Sequence, residues 1–93
     1  MRSAEISMIL DCGLTEDEKT KFYRMEQRIA ALFATFGQGI RLCEAIGEGD
    51  SREILFGVPC QEQPPISLRS ARFLAGSDDE VLNELEDRLW CCG

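Results

Sequence analysis

Ile29-Ala30-Ala31-Leu32-Phe33-Ala34-Thr35-Phe36-Gly37-Gln38-Gly39-Ile40-Arg41-Leu42-Cys43-Glu44-Ala45-Ile46 is the stretch on which the fold turns. Up to Phe36 the apolar residues recur at steps of three and four, the spacing of one helical face. Gly37, followed by Gly39, then supplies the left-handed residue that ends such a helix. From Ile40 onward apolar and polar residues alternate, the period of a strand with one buried face. A helix gives way to a strand within four residues.

Upstream, the helix has its own start signal. In Thr15-Glu16-Asp17-Glu18 the threonine can cap the N–H of Glu18, whose carboxylate can reach back to Thr15, so the spacing predicts a capping box. Phe22, Met25, Ile29, Leu32 and Phe36 continue the face, and a helix over residues 16–36 would be roughly 30 Å long. Ahead of it, Ile6, Met8 and Leu10 alternate with Ser7 and Ile9, which predicts a strand over 5–12.

Downstream, Gly47-Glu48-Gly49-Asp50-Ser51 reads as a hairpin loop, and Ile54, Phe56 and Val58 form a return strand that Pro59 stops. After the break Gln61-Glu62-Gln63-Pro64-Pro65, alternation resumes from Ile66 to Phe73. The run Ser67 to Ala75 could equally begin a helix that Gly76 breaks. Ser77-Asp78-Asp79-Glu80 repeats the capping signature, and Val81, Leu82, Leu85 and Leu89 form the apolar stripe of a C-terminal helix over 78–91. The reading is one α+β domain spanning residues 1–93, in the order β-α-β-β-β-α, an antiparallel or mixed sheet with two helices on one face.

Composition narrows the functional classes. The chain has 93 residues, 17 acids against 10 bases, a formal charge of −7 and no histidine. Without histidine there is no Ser–His or Cys–His pair, no histidine-ligated metal and no side chain with an unperturbed pKa near neutrality. The five cysteines, Cys12, Cys43, Cys60, Cys91 and Cys92, contain no C-x-x-C, so a zinc site is not expected. Paired carboxylates such as Glu48 with Asp50 carry no sign of burial, and Gly37-Gln38-Gly39 lacks the strand–loop–helix setting of a phosphate cradle. The expectation is a non-enzymatic protein without cofactor or metal. No targeting signal or membrane-spanning run stands out, which gives a cytoplasmic expectation, in the producing cell or in a phage host.

Charge is uneven. Residues 74–93 hold six acids, Asp78, Asp79, Glu80, Glu84, Glu86 and Asp87, against Arg88 alone, a local −5. Residues 1–73 carry only −2. First-turn acids complement the helix dipole, but an outward set of Asp79, Glu80, Asn83, Glu84, Glu86 and Asp87 could also engage a basic surface on a partner protein. Lys21, Arg24 and Arg28 share a stripe on the first helix, read as a solvated face with Asp17 to Lys21 as an i,i+4 pair, and Glu84 with Arg88 forms another. The segment from Ile29 to Phe36 is apolar around nearly its whole circumference. Either the last helix packs against Ala30, Ala31 and Ala34, or Phe33 and Phe36 anchor a self-association or partner surface. Trp90 reads as a core plug or as a third interface residue.

The αβββα part of the order is shared with double-stranded-RNA-binding domains. Those domains hold phosphates on a basic last helix, and this one opens Asp78-Asp79-Glu80, so direct nucleic-acid binding is not expected. In size and charge alone the chain is similar to phage-encoded inhibitors of bacterial defence, including anti-CRISPR proteins. That likeness implies an acidic inhibitor or decoy which covers a basic surface of a nucleic-acid-handling partner. Two alternatives stand beside it. One is an acidic homodimeric adaptor that resembles type III secretion chaperones in size and charge and dimerises through residues 29–36. The other is a small-ligand-binding module.

Overall fold

In the computed structural model the described residues are 9–57 and 64–92, with the side chains of all but Cys92. The expected strand residues Glu5 to Met8, the strand end Val58 and the loop residues Gln61 to Gln63 lie outside them. The elements are β1 (Leu10–Cys12), α1 (Glu16–Thr35), β2 (Leu42–Ile46), β3 (Glu53–Gly57), β4 (Ile66–Arg69), α2 (Ser70–Ala75) and α3 (Asp78–Cys92). The α+β class holds, with four strands in a mixed sheet ordered β1-β2-β3-β4: β1 runs parallel to β2, and the other neighbours are antiparallel.

The sequence order needs one correction. The segment from Ile66 to Phe73 is a strand only to Arg69, after which α2 makes a third helix. Alternation over four residues is compatible with either period, and here Ser70 and Phe73, three apart, are the two that α2 buries. Gly76 closes that helix, its N–H donating to the Arg72 carbonyl.

Register divides the sheet into two unlike faces. Cys43, Phe56 and Ile66 lie opposite one another, as do Ala45, Ile54 and Leu68, and on this face all but the half-buried Ala45 are buried. The helices lie against it. Phe22, Met25, Ile29 and Phe33 of α1, Phe73 of α2, and Val81, Leu85 and Leu89 of α3 complete the core. Phe33 and Phe73 flank Phe56 with ring centroids 6.2 and 6.3 Å away. The opposite face carries Leu42, Glu44, Leu55 and Ser67, all half-buried, and at its margin Leu10 and Ile46 are exposed.

Both ends of α1 follow from local chemistry. The Thr15–Glu18 capping box forms in both directions. At the other end Gly37, at φ +72°, lets the Gln38 N–H reach the Phe33 carbonyl and its own N–H reach Ala34, the paired bonds of a Schellman ending. Gly13, at φ +77°, makes the tight link from β1 into α1. A Cβ there would stand 3.0 Å from the Ala45 carbonyl oxygen.

Glu18 also does something its local motif does not require. It is 1% exposed, and its carboxylate accepts two bonds from the Arg52 guanidinium, each 2.8 Å, and one of 2.5 Å from the Ser70 hydroxyl. Arg52 in turn donates to the Gly13 and Gly47 carbonyls. One buried ion pair therefore ties the start of α1, the β2–β3 hairpin and the start of α2. The bidentate Arg52 contact, helped by Ser70 and Thr15, outweighs the cost of burial and brings the Glu18 pKa down to about 2.

Candidate functional site

The acidic helix lies beside α1. Arg24 meets Asp78, Arg28 meets Asp79 and Phe36 meets Trp90, so positions on the two helices rise in step and the helices run in the same direction. These contacts show that the acids of α3 are not one uniform array. Asp78 takes two bonds from Arg24, at 2.5 and 3.1 Å, which lower its pKa and raise that of Arg24. Asp79 pairs with Arg28 at 3.0 Å. Glu80 accepts from the Ser77 N–H while the Ser77 hydroxyl accepts from Glu80, the second capping box. Glu84 pairs with Arg72 of α2 at 3.1 Å.

Several sequence expectations change as a result. The cationic stripe of α1 is a solvated face only at Arg24 and Arg28, which are exposed, and not at Lys21. Lys21 is 7% exposed, donates to the Gly76 carbonyl and lies over the Phe73 ring, so it does not pair with Asp17. Arg24 and Arg28 pair with Asp78 and Asp79 of α3 while staying exposed to solvent. Glu84 takes Arg72 rather than Arg88, because α2 brings a guanidinium across the helix boundary. Of the six residues expected on the acidic face, Asp79, Glu80 and Glu84 are engaged within the molecule. Asn83 and Asp87 are exposed and Glu86 is half-buried, and among the described residues neither Glu86 nor Asp87 has an ion-pair or hydrogen-bond partner.

The apolar candidates separate too. Phe33 is 1% exposed and sits under Phe56, so it anchors the core and cannot anchor a partner. Ala30 packs against the core but Ala31 and Ala34 are exposed, so the three alanines do not mark one close helix contact. Trp90 is no core plug: it is 68% exposed, the most open large apolar side chain of the described residues. It is nonetheless held, perpendicular to the half-buried Phe36 ring at 5.2 Å.

The two halves of the α1–α3 seam therefore differ in kind. At the N-terminal half, Arg24 and Arg28 neutralise Asp78 and Asp79. At the C-terminal half, α1 offers only Ile29 to Phe36, which contains no charged residue. Glu86 and Asp87 precede Trp90 by four and three residues, so both are its neighbours on the helix surface. The result is an exposed indole backed by a phenyl ring, with Glu86 and Asp87 one helical turn before it.

On the other side of α3 an open cleft of about 740 Å3 separates it from α2 and β4. Arg72, Glu80, Asn83, Glu84, Asp87 and Arg88 line it, and their mixed charges give it no single electrostatic preference. Among the described residues no group of three or more histidine, cysteine, aspartate or glutamate side chains is placed to hold a metal ion. Cys43 is fully buried and its thiol pKa is pushed far up, first by burial and then by Asp11, Glu18 and Glu26. Such a thiol is a poor nucleophile. Cys12 and Cys91 are free and exposed, while Cys60 and the Cys92 side chain lie outside the described residues. No helix of the described residues is long and apolar enough to cross a membrane.

Two features of this site were not found from the sequence. The pairing of Arg24 and Arg28 with α3 depends on how two distant helices cross, and no local pattern encodes that. The exposure of Trp90 did leave a signal. Val81, Leu85 and Leu89 recur every four residues, which turns position 90 about 100° away from the buried stripe. Comparison of the chain with protein-family models, with curated proteins and with solved structures gives no match in any of the three.

Proposed function

We propose that this chain acts without catalysis, as a small acidic inhibitor or decoy that occupies a basic surface of a nucleic-acid-handling protein, and that the C-terminal half of α3 is the part that docks. The observation that carries the reading is Trp90, exposed yet fixed against Phe36, beside two unengaged carboxylates. Tryptophan is the side chain most often found at the energetic centre of protein interfaces, and a pre-ordered one loses little rotamer freedom on binding. Carboxylates already paired within the molecule, such as Asp78 and Glu84, contribute less to a partner than free ones. The docking face is thus smaller than the whole helix and centred near its end.

The homodimeric adaptor draws less support. It relies on an apolar surface over residues 29–36, and the side chains that would supply most of it, Ile29 and Phe33, are in the core. The test is affinity capture from a lysate of the native host, followed by competition with the captured protein in purified form. The decoy reading expects the chain to displace nucleic acid from that protein. Simultaneous binding of the chain and the nucleic acid would remove it.

A further inference from the structure

We infer that the C-terminal end of the α1–α3 seam is a site for an arginine side chain, in which a partner's guanidinium lies on the open face of Trp90 between Glu86 and Asp87. This deepens the decoy reading and rests on it for the identity of the partner as a protein. The perpendicular contact with Phe36 can cover at most one face of the indole, and the 68% exposure of Trp90 leaves the other face to solvent. An open indole face attracts a cation through its quadrupole, and tryptophan does so best of the aromatic residues.

Charge selects among possible occupants. Every other acid of α3 is engaged by a cation or a cap, so its two unpartnered carboxylates among the described residues, Glu86 and Asp87, lie one turn before the indole and outnumber the one unpaired base of the helix, Arg88. A second copy of the chain, placed on this patch by a two-fold axis, would bring two Glu86 and two Asp87 carboxylates together, while Arg24 and Arg28 are already occupied. A nucleic acid could stack a base on Trp90, but the same carboxylates would repel its phosphates. A cationic side chain satisfies both groups at once. Arginine fits better than lysine, because its flat guanidinium can stack on the ring while its edge N–H groups reach the carboxylates.

Trp90 is the single tryptophan of the chain, so its emission reports directly on the site. The experiment titrates the reduced protein at physiological salt with tetra-arginine amide and with tetra-lysine amide. Tetra-arginine should give a saturable emission change with a dissociation constant of about 1 mM or below. Tetra-lysine should bind about fivefold more weakly. The doubly neutralised variant Glu86→Gln, Asp87→Gln, at positions without an ion-pair or hydrogen-bond partner among the described residues, should lose about tenfold. The inference is overturned by the absence of a saturable response to tetra-arginine, by equal affinity for the two peptides, or by unchanged affinity in the variant. It is overturned equally by a sedimenting dimer that Trp90→Ala dissociates. If these peptide results fail while the host partner is still lost on reversing the charge of Glu86 and Asp87, the arginine site falls and the decoy reading stands. If the partner binds the charge-reversed protein as before, the decoy reading falls while the peptide result still decides the site.

Discussion

Replacing Glu18 by glutamine should make the protein less stable at neutral pH and remove one specific part of its acid sensitivity. Glutamine at this position keeps the reciprocal cap with Thr15, since a capping box accepts either residue, so the substitution isolates the charge. What is lost is the carboxylate that receives both Arg52 nitrogens and the Ser70 hydroxyl. The carboxyl pKa lies at about 2 in the folded chain against an ordinary 4.5. That difference corresponds to about 3 kcal/mol of stability at neutral pH. Because the folded value is the lower one, this contribution is present in full above the ordinary value and is lost as pH falls from 4.5 towards 2. Urea unfolding followed by far-ultraviolet circular dichroism, under reducing conditions, would measure it. With a urea slope near 1 kcal/mol per molar for a chain this small, the variant's midpoint at pH 7 should fall by about 2–3 M. The gap between the two proteins should then close as pH falls to about 2.5, because acid removes from the wild type what the substitution has already removed. A gap that stayed constant from neutral pH to that point would refute the argument.

Three further outcomes test other parts of the account. Phe33→Ala, which empties a site between α1 and Phe56, should cost about 3–5 kcal/mol in the same assay, whereas Trp90→Ala should cost less than about 1 kcal/mol. A reversed order would mean that core and surface have been exchanged. Iodoacetamide at pH 8, followed by mass spectrometry, should modify Cys12 and Cys91 promptly and Cys43 only in denaturant, because Cys43 is buried and its thiol pKa is raised. Ser77→Ala, which removes one half of the second capping box, should destabilise by about 1 kcal/mol in urea titrations; no change would indicate that Glu80 alone suffices.

What the sequence revealed and what it did not divide along the distance between interacting residues. Thr15 with Glu18, Ser77 with Glu80, and Gly37 at the end of α1 act within a few positions of themselves, so their readings could be made from the chain alone. The strand period was legible for the same reason, but the face was read correctly only in part. Ile54 and Phe56 enter the core as expected, whereas β2 turns Cys43 and the half-buried Ala45 inward and leaves Leu42 and Ile46, which read as its apolar side, on the opposite face, with Ile46 exposed. Glu18 with Arg52, 34 positions apart, was not legible. Neither were Arg24 with Asp78 or Arg28 with Asp79, which pair two exposed cations of the basic stripe with the start of the acidic helix. The same long-range pairing reshaped the candidate site. A helix that reads as uniformly acidic keeps unpartnered carboxylates, among the described residues, only at Glu86 and Asp87, and Trp90, which read most simply as core, stands exposed one turn further on.

This redistribution also decides how the central claim should be tested. Reversing Glu80 or Glu84 would break the Ser77 cap or set a lysine against Arg72, and would confound folding with binding. Glu86 and Asp87 carry no such contacts among the described residues. The most direct measurement is therefore the affinity of the Glu86→Lys, Asp87→Lys protein for the purified host partner at physiological salt, with circular dichroism confirming an unchanged fold. Binding should weaken by at least about tenfold relative to the wild type. An affinity equal to the wild type's would contradict the assignment of α3 as the docking element.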